Sequence, residues 1–265
     1  MSKLVSDLRL SIWKTPGLKQ LRESGTFNAV FHKGFGAYWG HFRTSEEAAS
    51  FMRSSNRSTY NTDEIVQFNI DLFYGIQFFD WPVLFFLQTL LRENRLRVVT
   101  DFGGHVGVKF YAYRELLDLP QDFKWQVYDL PAMVAEGRRR TPAGTTGLQF
   151  FDDLESTAPC DVLICSGVLQ YAESTVEQII ARLPAKPHTV IVNKVAVFDT
   201  ESFYTLENYG KYWLPYRIFT PKELEETRVQ LGYTLAANWT VPREIVVNSA
   251  KGRHQIKTIG QVWRL

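Results

Sequence analysis

Residues Arg97–Tyr113 read RVVTDFGGHVGVKFYAY. Val98 and Val99 open an apolar run that reads as a short buried strand ending at Asp101. Gly103, Gly104 and Gly107 follow, and after them Val108, Phe110–Tyr113, Leu116 and Leu117 fall at helical spacing. Strand, glycine turn and helix form the opening of a nucleotide-binding βαβ unit. Glycine suits the turn because a Cβ would hold the backbone away from a ligand. The first N–H groups of the helix are offered to anionic atoms such as a carboxylate. The same residues also describe a plain strand-to-helix connection, so the reading needs support from elsewhere in the chain.

That support begins at Trp125–Pro131, WQVYDLP, a second strand ending in Asp129, which stands 22 residues beyond Gly107. An acidic residue about 20 residues past the turn is where a ribose-hydroxyl acceptor sits in such units. Asp129 also fits as a cap for a helix opening at Leu130-Pro131, and the two roles are compatible. A dinucleotide fingerprint G-x-G-x-x-G starting at Gly103 needs glycines at 105 and 108, where the chain has His105 and Val108. That argues against NAD or FAD, whose pyrophosphate requires close backbone approach. It favours a ligand with an adenosine and no phosphates.

The series DFGGHVG, VYDLP, LQFFDD, CDVLICSGVLQYAES and TVIVNKV resembles the motif order of class I S-adenosylmethionine (SAM) dependent methyltransferases. The resemblance covers roughly residues 96–265. It is greatest to small-molecule O-methyltransferases, which carry D-x-G-G-G-x-G and a DLP after the second strand. The whole chain also resembles a group of bacterial methyltransferases without an assigned substrate. These share its N-terminal aromatic-glycine segment and an SxxLQY after the fourth strand. The fold implied is α/β: a Rossmann-like class I sheet, mostly parallel with the last strand antiparallel, and an N-terminal helical and aromatic appendage. The implied reaction is methyl transfer from SAM, with S-adenosylhomocysteine (SAH) as product, to oxygen or nitrogen of a small-molecule substrate in bacterial specialised metabolism. Three other readings stay open: a C-methyltransferase acting on an enolisable acid, a non-catalytic SAM-fold binding protein, and, more distantly, an NAD-dependent oxidoreductase.

Composition agrees with an enzyme of this size. The chain has 265 residues, of which 45% are hydrophobic, and a formal net charge of +2. That balance gives no reason to expect a polyanionic partner. The basic run Arg138–Arg140 reads as the solvated end of a helix, so no nucleic acid is expected. Cys160 and Cys165 fall in the expected fourth strand on opposite faces, as reduced packing residues. The spacing carries no metal motif, so no metal is expected. MSKLVSDLRL lacks an apolar signal region, and the apolar stretch Phe78–Leu91 is broken by Asp80, Pro82 and Gln88. A cytoplasmic protein without membrane segments is the expectation.

Two domains are expected, an N-terminal region over 1–95 and the SAM-binding domain over 96–265. Helices are expected from Thr15-Pro16 to Gly25, after the capping box Thr44–Glu47, over Asp63–Tyr74, and over Trp81–Glu93 with Asp80 as cap. The aromatic-glycine segment Phe27–Phe42 reads as an ordered loop. It is either a satellite core or a lid with Tyr38, Trp39 and His41 facing substrate. In the related enzymes such helices form a homodimer and shape the pocket, so a homodimer is the oligomer to look for. Strands are expected near 97–101, 124–128, 147–151, 160–165 and 188–194, then a helix over Thr220–Leu231 and a strand pair over Tyr233–Val241 and Gln255–Arg264.

Ligands of open α/β sheets bind at the carboxyl ends of strands. By resemblance, Asp101, Gly103, Gly104, His105 and Gly107 surround the methionine part of SAM, Asp129 accepts the ribose hydroxyls, and Leu130 packs on adenine. One of Asp152 and Asp153 accepts the adenine amino group, and Ser166 and Gly167 open the loop beside the cofactor. In the related enzymes a histidine in that loop is the general base; here the position is Gln170, followed by Tyr171. An amide cannot take a proton near neutral pH. The base then sits elsewhere, with His105, His41 or a tyrosine as candidates, or the acceptor arrives ionised, or alignment alone suffices. His105 reads equally as a tolerated loop residue. The aromatic stretch Val195–Phe219 reads as a long irregular loop. Its Tyr209, Tyr212, Trp213 and Tyr216 either wall a substrate pocket or pack in a core.

Overall fold

The alternation of strand and helix expected past residue 96 is present, and it builds a largely parallel sheet. The computed structural model describes residues 37–54, 75–208 and 213–265. The expectations for 15–25, 27–36 and 63–74, and for Tyr209 and Tyr212, lie outside the described residues. The strands are β1 (Tyr38–Phe42), β2 (Val98–Phe102), β3 (Lys124–Tyr128), β4 (Leu148–Phe151), β5 (Val162–Ser166), β6 (Thr189–Val197), β7 (Phe203–Asn208), β8 (Trp213–Ile218), β9 (Thr234–Ser249) and β10 (Gly252–Arg264). The helices are α1 (Ser45–Ser54), α2 (Trp81–Arg92), α3 (Val108–Arg114), α4 (Pro131–Arg140), α5 (Val176–Arg182) and α6 (Pro221–Gln230), with a 3₁₀ turn at Phe78–Asp80 ahead of α2.

By their contacts the described residues fall into two units: 75–202, 217–244 and 257–265 in the larger, and 37–54, 203–208, 213–216 and 245–256 in the smaller. This division departs from the expected one at residue 95. Helix α2 belongs to the larger unit because Val83, Leu87 and Leu90 pack into the same core as Val99 and Val127. Residues 203–208 belong with β1 because they pair with it as β7.

In the larger unit the strand order is β4-β3-β2-β5-β6-β10-β9. Pairs among β2 to β6 are parallel, and β10 lies antiparallel to β6. Counted in chain order the strands run 3-2-1-4-5-7-6, the Rossmann-like class I methyltransferase sheet with its last strand inserted antiparallel. Alternation explains how the sheet is covered on both faces. Val99, Val127, Val162, Ile164 and Ile191 point into one apolar cluster, and Leu163, Cys165, Val190 and Val192 into another.

The smaller unit pairs the end of β9 with β1 in parallel at Trp39↔Asn248, β1 with β7 antiparallel at Tyr38↔Glu207, and continues to β8. Helix α1 closes it, with Ala48 and Met52 against Trp39, Leu206 and Trp213. The Thr44 hydroxyl accepts the Glu47 N–H at 3.2 Å, as the capping sequence requires. Here the reading of 27–42 and 195–219 as loops is corrected for Tyr38–Phe42, Phe203–Asn208 and Trp213–Ile218, which are strands. Aromatic residues favour strands, but their partners lie far away in sequence, and neither segment shows a clean alternation by which to recognise them. Among the described residues no helix is long and apolar enough to cross a membrane.

Candidate cofactor and substrate site

Strand order reverses between β2 and β5: the chain leaves β2 toward β3 and β4, and β5 toward β6. In doubly wound sheets the crevice beyond the carboxyl ends of the strands at such a point holds the ligand. The residues there are Gly103–Gly107 after β2 and Ser166–Gln170 after β5.

The turn after β2 is held from below and from the side. Gly103 N–H donates to Tyr128 O at 2.8 Å, and Gly107 N–H donates to Gly104 O at 3.1 Å. Gly103 has φ +71°, and a Cβ there would stand 2.3 Å from Val168 Cγ2, so the backbone conformation and the neighbouring loop both require glycine. Asp101 is the fourth residue of β2 rather than its end, and it is buried. Its carboxyl accepts Trp125 Nε1–H at 3.1 Å. Burial raises its pKa to about 7, with the charge of Asp129 adding to the rise.

This shift gives a pH prediction. Asp101 holds a proton in the folded chain up to about pH 7 and in the unfolded chain only to about pH 4. The stability it contributes is therefore full below about pH 4 and is lost as pH rises to about 7. Asp101→Asn keeps an acceptor for Trp125 and removes the titration. Urea denaturation should show the parent losing stability relative to this variant between pH 4 and 7; a constant difference over that range would refute it.

His105 has φ +57°, and its N–H donates to Asp129 Oδ2 at 2.8 Å. Burial, aided by the Arg140 charge, lowers the imidazole pKa to about 4. The ring is neutral at physiological pH, so it can meet a carboxylate only as a neutral donor. Asp129 Oδ1 accepts Leu130 N–H at 2.7 Å. Leu130, not Asp129, takes the N-cap position of α4 and makes no side-chain cap bond. The Asp129 carboxylate thus fastens the turn after β2 to the end of β3, and burial raises its pKa. Each of its oxygens retains a lone pair beyond the N–H it accepts. Leu130 is 46% exposed, an apolar surface beside that carboxylate. After β4, Asp153 is taken up by its own turn: its oxygens accept Ser156 Oγ–H at 2.7 Å and the Glu155 N–H. Asp152 is exposed.

Past β5, Ser166 Oγ accepts Asn193 Nδ2 at 3.1 Å, and Gly167 N–H donates to Asn193 O at 2.8 Å. Gly167 has φ +71°, and a Cβ there would stand 2.7 Å from Lys194 Cε and 2.9 Å from Nζ. Gln170 is buried, and its amide donates to Lys194 O. Through this bond Gln170 clamps the backbone of β6. Tyr171 is 38% exposed.

Sequence reading missed a buried charge cluster beside this loop. Asp80 is fully buried; its Oδ2 meets Lys109 Nζ at 2.7 Å, and its Oδ1 accepts Tyr113 O–H at 2.7 Å. Asp80 does stand at the N-cap of α2, with Pro82 in the first turn, but its side chain makes no bond to that helix. It accepts Gln77 N–H instead. Two lysines inside apolar runs, Lys109 in VKFYAY and Lys194 in TVIVNKV, were the visible signal.

Tyr38, Trp39, His41 and Trp213 belong to the smaller unit. Tyr38 O–H donates to Glu207 at 2.5 Å, and its ring meets Tyr216 edge-on. His41 stacks on Phe203 with centroids 4.2 Å apart. Trp39 and Trp213 are buried in that unit's core.

No family model matches the chain, and no curated protein matches it. Among solved structures it is similar to Burkholderia thailandensis 1,6-didemethyltoxoflavin-N1-methyltransferase, solved with S-adenosylhomocysteine. The identity is 18% and the TM-score 0.46, over 84% of this chain and 92% of that one. It is also similar to human N-acetylserotonin methyltransferase in complex with SAM, at 14% identity and TM-score 0.48 over 94% of this chain and 68% of that one. A third is the magnesium protoporphyrin IX methyltransferase of Synechocystis, at 13% identity and TM-score 0.46 over 83% and 95%. Likeness this distant leaves the functional reading to the chain's own residues.

Proposed function

We propose that the protein is a SAM-dependent methyltransferase acting on oxygen or nitrogen of a small molecule. The observation that carries the reading is Asp129. It directly follows β3, the strand beside β2, is tied at 2.8 Å to the turn after β2, and keeps one free lone pair on each oxygen. Two vicinal ribose hydroxyls need two such acceptors. The exposed Leu130 beside it offers an apolar surface to adenine. Asp152 is the carboxylate left for the adenine amino group, because Asp153 is engaged by Ser156 and Glu155. The residues present therefore fit SAM, which when bound supplies a methyl group on a positively charged sulfur.

The chain's own part is to place the acceptor in line with that methyl group and to exclude water. Orientation of this kind lowers a barrier by roughly 7–11 kcal/mol in well-aligned intramolecular reactions. Gly103–His105 and Ser166–Gly167 form the two rims between which the reacting groups would lie.

Calorimetric titration with SAH tests the reading, with NADH as the parallel control. SAH should bind in the micromolar range and NADH should not. Binding of NADH in preference to SAH, or of neither, would overturn it.

A further inference from the structure

Lys194 stands out in β6. Ile259 pairs with Val195 and Gln261 with Val192, so Asn193 and Lys194 together face Gly260 alone. This is a β-bulge, and Lys194 occupies its left-handed position with φ +57°. A non-glycine residue held there is strained, and bulges next to ligand sites re-aim side chains. The surroundings maintain the bulge. Asn193 is fully buried; its amide nitrogen donates to Phe79 O and Ser166 Oγ, both at 3.1 Å, and its oxygen accepts Trp239 Nε1–H at 3.3 Å. Gln170 holds the Lys194 carbonyl. Gly260 is required opposite, since a Cβ there would stand 2.2 Å from the Trp239 ring.

The bulge lies at the carboxyl end of the parallel pairing. Ser166↔Asn193 is its last rung, so Lys194 is the first residue beyond the end of β5, against Gly167. Its Nζ stands 4.6 Å from the centre of the Phe79 ring. Among the described residues no carboxylate comes within salt-bridge distance of Nζ, whereas Lys109 has Asp80 at 2.7 Å. Four charged groups bear on this amine: Lys109 and Arg243 against its charge, Asp80 and Asp101 for it.

On the methyltransferase reading above, we propose that Lys194 Nζ is the general base of the site and serves acceptors with an ionisable hydroxyl or protonated amine. The acceptor's proton passes to Nζ and its lone pair forms the bond to the methyl carbon. The electron pair of the broken carbon–sulfur bond stays on sulfur, and the ammonium returns its proton to water. Burial, with the Lys109 charge next, brings the amine down to about 8, so a usable fraction is unprotonated near neutral pH. This fills the role that Gln170 cannot take.

The first measurement needs no acceptor. Reductive methylation of the full chain with ¹³C-formaldehyde labels its lysines, and the Lys194 resonance is the one missing from Lys194→Met. It should titrate near 8, while exposed lysines titrate above 10. Lys194→Met should bind SAH within about threefold of the parent and melt within a few degrees of it. For an acceptor drawn from a panel of phenols, carboxylic acids and amines, Lys194→Met should lose about 100-fold or more in kcat with little change in KM. Lys194→Arg, always charged, should not restore it. A Lys194 that titrates above about 10, or equal turnover by Lys194→Met, overturns the role of Lys194 alone. A more than tenfold loss of SAH binding in Lys194→Met would place the amine on the cofactor's carboxylate and also overturn it. A parent that fails to bind SAH overturns the methyltransferase reading itself.

Discussion

Asp129→Ala is expected to weaken SAH binding by at least about 100-fold, or about 2.7 kcal/mol. On the proposed reading the substitution removes the acceptor for both ribose hydroxyls, and a hydrogen bond to a charged acceptor contributes about 1.5–3 kcal/mol. It also releases the His105 and Leu130 N–H groups that the carboxylate now holds at 2.8 and 2.7 Å, loosening the turn that borders the ligand. Asp129→Asn separates the two effects. One amide oxygen still accepts an N–H, so the turn should hold, while one ribose hydroxyl loses its partner. Calorimetry with SAH should rank the parent above Asp129→Asn and that variant above Asp129→Ala. Parent-like affinity in both variants would mean that the strand ending at Tyr128 does not carry the ribose acceptor.

Asp80→Ala is expected to cost about 3–5 kcal/mol of stability, the usual result of removing one partner of a buried ion pair. Asp80 has no exposed surface, and Lys109 retains only 7%. Alanine leaves the Lys109 ammonium without its counter-ion and Tyr113 O–H without its acceptor. A domain's whole stability is about 5–15 kcal/mol, so the loss should show as a large drop in urea midpoint. Asp80→Ala combined with Lys109→Met should recover much of it, because no uncompensated charge remains buried. A single variant within about 1 kcal/mol of the parent, or a double variant no better than the single, would refute this account of the cluster. The cluster joins the turn before α2 to helix α3 directly behind the ligand turn, so its loss should also weaken SAH binding.

The basic run at Arg138–Arg140 shows how a local pattern acquires a structural role. Arg138 donates to Phe150 O at 2.7 Å, and Arg139 and Arg140 share Glu136. Helix α4 thereby carries a guanidinium onto β4, next to the strand end that leads to Asp152.

Much of the larger unit could be read from the chain alone. The second strand was expected over 124–128 and is found there; the first is displaced by a single residue. The glycine turn and the spacing to Asp129 follow from short-range pattern and fixed spacing, whereas the antiparallel last strand was implied by the family resemblance. Such signals survive because both faces of a parallel strand are buried, so each strand is a short apolar run bounded by turn residues. The fate of individual side chains could not be read this way. Tyr38 finds Glu207 across 169 residues, and only that pairing makes the aromatic-glycine segment a strand. Asp80 follows cap rules in sequence, yet its carboxylate turns away to a lysine 29 residues on, because an unpaired ammonium would otherwise be buried. Lys194 shows in the sequence only as a lysine inside an apolar run; its left-handed backbone arises because β10 supplies one residue opposite two. Within the larger unit, local periodicity thus determined most of the strands and helices and which strand ends face the crevice at the switch point. The tertiary structure decided which polar groups are held by other parts of the chain and which are aimed at that edge, because a buried charge or a bulge is set by partners that no local pattern contains.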